Sequence, residues 1–364
     1  MAQLEKGASV KNGVLYNPKE IVRVILSHLS ERDADIITRR HGLLKDKKET
    51  LEEIGKSYKL TRERIRQIES AVVARLKNIN AVMDTVEDVA KHVQSVMGRH
   101  GWIMEEKHFL DELHLPEITK DPLAKRASLF LASELLTNHM EPVSENDKTR
   151  KGWKHKQAAW ELFEQTVIEA KRIMENHKEP MTMDKLLDQF HKGEFYKSNT
   201  ESLADDHIKA YLNLSQELHY NAFNEWGMTD WPSVSPRRMA DKIYLVLKKH
   251  GQPLHFREIT SKINEVGFNG KQAYAATVHN ELILDDRFVL VGRGLYALKE
   301  WGYKTGTVAD VIADALKRAG KPLTKDELTT EVLKQRLVKP ATINLALMNK
   351  KRFKKAGPKL YTVI

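Results

Sequence analysis

Between Thr50 and Leu76 the apolar residues recur at helical spacing in two short blocks separated by a break. Thr50 forms a capping-box pattern with Glu53, and Leu51, Ile54 and Tyr58 follow at helical intervals, which predicts a first short helix. After Lys59-Leu60, the hydroxyl of Thr61 is placed to cap a second helix that carries Ile65, Ile68 and Val72 on its core face. The opposite face gathers Arg62, Glu63, Arg66 and Gln67 near the helix start. Arg can bond guanine O6 and N7, Gln adenine N6 and N7, and Glu can accept from cytosine N4. This is a helix-turn-helix with the chemistry to read base edges.

The rest of the chain repeats one pattern four times. MGRHGWIMEEKHFLDEL from Met97, MENHKEPMTMDKLLDQF from Met174, LKKHGQPLHFREITSKI from Leu247 and LKRAGKPLTKDELTTEV from Leu316 align without gaps, with starts 77, 73 and 69 residues apart. In each, an amphipathic helix stops, a turn follows (with Pro180, Pro253 or Pro322 in three copies), and a second amphipathic helix begins. RFVLVGRGLYAL from Arg287 also aligns without gaps with RFKKAGPKLYTV from Arg352, and both read as a strand, a glycine-containing turn and a strand. Third helices are expected at about 271–284 and 340–349, so these units have the order of a winged helix. In the first two copies the wings would fall within HMEPVSENDKTRKGWK from His139 and HYNAFNEWGMTDWP from His219, where strand alternation is poor and 141–156 could instead be a loop. The expected fold class is mainly α: a helix-turn-helix head followed by tandem winged-helix repeats with small β-hairpin wings.

Charge sharpens this picture. The chain of 364 residues carries a formal net charge of +10, and its ends are the basic parts: +6 over residues 1–80 and +9 over 304–364, against −5 between them. A polyanion would be drawn to both ends, because Lys and Arg that neutralise phosphates release condensed counterions. The fourth repeat is the most basic, with Lys350, Lys351, Arg352, Lys354, Lys355 and Lys359 around its third-helix end and wing, whereas the third repeat has Asp285 and Asp286 at the aligned positions of Lys350 and Lys351. The fourth unit therefore reads as a phosphate grip and the third as a protein-contact unit, with plain solubility as the competing reading of the lysines. Cysteine is absent, which excludes disulfides, thiolate metal sites and a cysteine nucleophile. No long apolar run and no basic-then-apolar start is present, so neither a membrane span nor a secretory signal is expected, and the expected location is cytoplasmic.

Other candidate chemistry has a simpler explanation. His100, His177 and His250 share one place in successive repeats, at the end of the first helix, where imidazole suits last-turn carbonyls; capping is expected, and no metal or cofactor. The scattered carboxylates lack a nuclease pattern, Gly292 and Gly294 fit a hairpin turn, and Trp226 and Trp231 are expected to be buried. No catalytic constellation is present, so the chain is expected not to be an enzyme.

TLEEIGKSYKLTRERIRQIESAVVARL from Thr50, with ERDADIITRRHGLL from Glu31 before it, resembles region 4 of sigma-70 family factors, the domain that reads the −35 promoter element. The resemblance implies base contacts by Arg62, Glu63, Arg66 and Gln67, phosphate nearby at Arg64 and the Thr61 helix start, and an apolar docking surface for the β flap of RNA polymerase. With only about twenty residues before it, the chain is not expected to be a complete initiation factor. HGQPLHFREI from His250 and VGRGLYAL from Val291 resemble the HARE-HTH family, which includes the amino-terminal domain of the RNA polymerase delta subunit. The expected domains are a region 4-like head at 18–80, winged-helix-like repeats at 82–156 and 158–235, a HARE-HTH unit at 236–303 and a basic, HARE-like unit at 304–364. The expected function is a transcription regulator that binds double-stranded DNA and RNA polymerase core. A delta-like protein acting through protein contacts, or an accessory subunit of a DNA-modifying system, are the alternatives.

Overall fold

The computed structural model describes residues 16–43, 47–114, 120–303 and 305–364. Leu44, at the end of the ERDADIITRRHGLL stretch, and Lys304, the first residue of the last expected domain, lie outside them. The described residues form seventeen α-helices and four three-stranded antiparallel sheets, the mainly α architecture with small β wings that the sequence pattern predicts. None of these helices is long and apolar enough to cross a membrane.

The chain divides into two compact units, one of residues up to Tyr220 with Asn224–Thr229, the other of Asn221–Phe223 with Asp230–Ile364. The first begins with four helices: α1 (Pro18–Leu26), α2 (Glu31–His41), α3 (Leu51–Tyr58) and α4 (Arg62–Leu76). There follow α5 (Asn80–Arg99), β1 (Ile103–Glu105), α6 (Glu106–Leu113), α7 (Pro122–Phe130), a π turn over Leu131–Leu135, and the hairpin β2 (Met140–Val143) and β3 (Gly152–His155). The same order returns as α8 (Trp160–His177), β4 (Met181–Thr182), α9 (Met183–Lys192), the single turn α10 (Glu194–Lys197), α11 (Asp205–Leu214), β5 (Leu218–Tyr220) and β6 (Glu225–Met228). The doubtful wing segments of these two copies thus hold paired strands. Their alternation is hidden because Met140, Val143, Trp153, His155, Leu218 and Trp226 are all buried in strands of three or four residues.

In the second compact unit come α12 (Met239–His250), β7 (Leu254–His255), α13 (Phe256–Val266), α14 (Ala275–Leu284), β8 (Phe288–Gly292) and β9 (Leu295–Leu298), then α15 (Val308–Ala319), β10 (Leu323–Thr324), α16 (Lys325–Leu333), α17 (Pro340–Leu347), β11 (Phe353–Gly357) and β12 (Leu360–Val363). In all four sheets the short strand after the first helix pairs with the last strand of the hairpin, giving orders β1-β3-β2, β4-β6-β5, β7-β9-β8 and β10-β12-β11. The third and fourth repeats each close a core of their own, with Ile243, Ile259, Val278 and Tyr296 in the third copy and Ile312, Leu328, Ile343 and Phe353 in the fourth. Burial of such side chains contributes roughly 1.5–3 kcal/mol each.

Candidate nucleic-acid interface

The head is held by local signals that the sequence displays. Thr50 and Glu53 complete the capping box, with the Thr50 N–H donating to Glu53 Oε2 at 2.7 Å and the Glu53 N–H to Thr50 Oγ1 at 3.2 Å. Thr61 Oγ1 accepts from the Arg64 N–H at 3.2 Å and caps α4. The turn between these helices is tight: Lys59 takes a left-handed φ of 55°, and a Cβ on Gly55 would stand 2.6 Å from the Leu60 carbonyl oxygen. Ile36, Ile54 and Ile65 are fully buried in a small core of their own. Arg39 adds a lock absent from the periodicity, donating to Glu49 through Nε at 3.0 Å and Nη2 at 2.5 Å and to Ser57 Oγ at 2.8 Å, which ties α2 to the start and end of α3.

Thr61, Arg62, Glu63, Arg64, Arg66 and Gln67 are all exposed on the first turns of α4. Arg66 forms an ion pair with Glu63 at 2.7 Å, which holds the Glu63 carboxyl below its ordinary pKa, and Arg64 Nη1 donates to Gln67 Oε1 at 3.1 Å. Arg62 makes no hydrogen bond or ion pair among the described residues, so its five donors face solvent. The arrangement offers planar donors and an amide beside a carboxylate on one rigid helix end, which is what base-edge recognition needs.

The other side of the head is packed. Val22, Ile25, Leu26, Ile37, Val72 and Leu76 share one core with Val86, Val93, Phe130 and Leu135 of the first repeat. Across this seam Lys19 pairs with Asp121 at 2.6 Å, Tyr16 Oη and Ser128 Oγ lie 3.1 Å apart, and Arg126 Nε donates to the Gly42 carbonyl at 2.7 Å. Helix α7, which stands where a winged helix presents its third helix to DNA, is spent on this seam. In the next copy α11 is likewise occupied, with Tyr211 Oη donating to the Gly101 carbonyl at 2.9 Å. The sequence left open whether these middle repeats face DNA, and their third helices are covered.

In the third repeat α14 has no lysine or arginine and exposes Ile283 and Leu284, with Tyr274 just before it. Asp285 is engaged by Arg287 at 2.8 Å, and Arg287 also reaches Asp241 at 3.1 Å. In the fourth repeat Lys350, Lys351, Lys354, Lys355 and Lys359 are exposed, while Arg352 is half-buried and paired with Asp310 at 2.7 Å. Lys325, Lys350, Lys354 and Lys355 rim a cleft of about 610 Å³ floored by Leu347, Phe353 and Tyr361. Of the expected basic set, Lys350, Lys354 and Lys355 thus stand around one cleft, Lys351 and Lys359 are exposed outside its lining, and Arg352 is engaged with Asp310. Arg336, which no periodicity singled out, is buried and donates to the carbonyls of Leu290 and Gly306, and the Leu337 N–H donates to Val291 O at 2.8 Å. These bonds fasten the fourth repeat to the wing of the third.

Residues 25–78 match the family model of sigma-70, region 4. The stretch spans all of the helix-turn-helix just described. Residues 237–301 match the model of the HARE-HTH domain, a helix-turn-helix domain described from ASXL and restriction endonuclease proteins, and this match covers α12 to the end of the β8–β9 wing. Among curated proteins, the chain is 46% identical over 61 residues to an RNA polymerase sigma factor RpoD of Helicobacter pylori, covering 16% of this chain and 9% of that protein. It is 44% identical over 62 residues to RNA polymerase sigma factor SigA1 of Synechococcus elongatus, covering 17% of this chain and 16% of that protein. The chain therefore spans less than a fifth of the length of the curated relatives it matches. Both resemblances seen in the sequence fall on the matched residues. Within the region 4 head, Val24 is the one large apolar side chain exposed among the described residues, because the rest pack in the head's own isoleucine core or in the core shared with the first repeat.

Proposed function

We propose that this protein is a DNA-binding transcription regulator that reads a promoter element of the −35 type with the exposed start of α4 and grips phosphate with the lysines of the fourth repeat, in association with RNA polymerase. The observation that carries the reading is the solvent-facing set Arg62, Glu63, Arg64, Arg66 and Gln67 on a doubly capped helix-turn-helix of the region 4 kind. Base contacts would specify the site and the lysine-rich wing would add affinity that does not depend on sequence. The sigma factor relatives support the polymerase partner, and since α5 and α7 cover the head's apolar faces, polymerase would be met through polar surface. Both matched modules are binding modules, and the proposal involves no catalysis.

A second reading, a delta-like protein acting through protein contacts, is favoured by α14, whose exposed Ile283 and Leu284 and adjacent acidic turn suit a protein better than a phosphate backbone. Footprinting on genomic fragments with and without core polymerase separates the two. The first reading expects a protected site on naked duplex that polymerase strengthens. Protection that occurs only with polymerase and is indifferent to Arg62→Ala would overturn it in favour of the second.

A further inference from the structure

The first repeat gathers a donor set that its sister copies lack. His100 caps the end of α5, and His108 and Glu112 stand one turn apart on α6. One donor atom from each lies within 4.8 Å of the other two. Glu112 reaches both rings, with Oε2 3.3 Å from His100 Nε2 and Oε1 3.9 Å from His108 Nε2, and the rings meet edge to face at 4.9 Å. Capping of last-turn carbonyls, the role the sequence suggested for His100, is not what its ring does. The Nδ1 atoms of both rings are buried without a hydrogen-bond partner among the described residues.

The repeats supply an internal comparison. In the gap-free alignment His100, His108 and Glu112 correspond to His177, Lys185 and Gln189 in the second copy and to His250, Glu258 and Lys262 in the third. Lys185 Nζ sits 2.7 Å from His177 Nε2, so the second copy fills this corner with an ammonium group. In the third, Lys262 lines the same cleft as His250. The first copy has no lysine at either aligned position and offers two imidazoles and a carboxylate instead.

We propose that His100, His108 and Glu112 bind a divalent transition-metal ion of the zinc class, with water completing the shell, and that the ion takes the place of the sister copy's lysine. Two imidazole nitrogens and a carboxylate oxygen are the ligand types zinc prefers, at bond lengths near 2.0–2.1 Å, which put tetrahedral donors roughly 3.4 Å apart. The His100–Glu112 pair already has that separation, and Glu112, with 40% of its side chain exposed, is free to turn toward His108. Asp111, Glu112 and Asp206 lie close enough to His108 to favour a cation there. The ion would tie the C-terminus of α5 to α6.

Calorimetric titration of the full chain with Zn²⁺, with Mg²⁺ as control, tests this. The expected result is one Zn²⁺ per chain, a higher thermal midpoint with the metal, and no comparable Mg²⁺ binding. The double variant His108→Lys/Glu112→Gln copies the second repeat and should fold while binding Zn²⁺ at least about tenfold more weakly. Glu112→Gln alone, at a partly exposed position, gives the same comparison should the double variant not fold. Absence of Zn²⁺ binding in the unmodified chain, equal binding by the variants, or Mg²⁺ binding as tight as Zn²⁺ would each overturn the assignment.

Discussion

Arg352 Nη2 lies 2.7 Å from Asp310 Oδ1, joining the first strand of the fourth wing to the start of α15. Arg287 and Asp241 make the same connection in the third repeat at 3.1 Å. The two arginines and two aspartates are at aligned positions, so the clamp belongs to the scaffold. An arginine that looked like part of a phosphate grip is thereby assigned to stability.

Asp310 accepts from the Thr307 N–H and hydroxyl as well as from Arg352, and these bonds hold its carboxyl far below the usual carboxylate range. Because the folded pKa is depressed, this stabilisation is complete above about pH 4 and is lost as pH falls toward the folded value. Asp310→Ala should cost about 1 kcal/mol, the size of a lost N-cap with the exposed ion pair discounted for solvent. Hydrogen exchange of the α15 amides in the full chain, corrected for intrinsic rates, should accelerate at neutral pH in the variant. An unchanged protection pattern would show that the clamp contributes nothing.

Lys350, Lys354 and Lys355 should act on DNA through charge alone. Replacing all three by Ala should reduce the slope of log affinity against log salt by about 0.9 for each phosphate that is no longer neutralised, equally on any duplex sequence. Point substitution is the clean test, because removing residues 304–364 would also strip Arg336 and Leu337 from β8. A slope that stays at its full value marks these lysines as solvated.

Arg62→Ala should weaken binding to the preferred site by about 1–3 kcal/mol while leaving binding to random duplex nearly intact. Equal losses on both duplexes in a competition assay would remove α4 from base reading.

Gly55→Ala places a methyl group 2.6 Å from the Leu60 carbonyl oxygen, inside the turn that sets the angle between α3 and α4. The backbone must shift, at a cost of roughly 1–3 kcal/mol. DNA binding by the head should fall although every residue of the reading face is unchanged. Lys59→Gly at the left-handed position next to it should be neutral or mildly stabilising, and a loss there comparable to that of Gly55→Ala would refute this account of the turn.

His114 is buried between Ser128, with Nε2 to Oγ at 2.7 Å, and the Tyr16 ring, and burial lowers its pKa to about 4. The unfolded chain takes up this proton near pH 6.5, so the seam between head and first repeat is fully stable above that value and weakens as pH falls to about 4. Urea denaturation of the wild type at pH 7 and pH 4.5 should differ by on the order of 1–3 kcal/mol more than that of His114→Gln. His92, also lowered by burial, should leave a smaller residual dependence in the variant. A variant as pH-sensitive as the wild type would locate the titration elsewhere.

What could be read from the sequence was what is local or repeated. The capping pair Thr50 and Glu53, the Thr61 cap and the Ile65/Val72 face all lie within one or two turns of each other, and each forms as the spacing predicts. The third and fourth wings were visible because two twelve-residue strings align without gaps. Long-range pairings left no local trace. Tyr16 meets Ser128 and Tyr211 meets Gly101 more than a hundred residues away, and these pairings decide which third helices are covered. The metal-ligand candidates were half visible: His108 and Glu112 have helical spacing, but only the turn after α5 brings His100 to them.

The core shared by the head and the first repeat bears on how such a module can be moved between proteins. Cutting the chain after Asn78 would leave Val22, Ile25, Leu26 and Leu76, all buried in the intact protein, facing water on one side of a bundle whose own centre is three isoleucines. The helix-turn-helix head of this protein is therefore not a detachable cassette: a chimera must carry α5 and α7 with it, and whatever repositions the first repeat will turn α4 by the same angle.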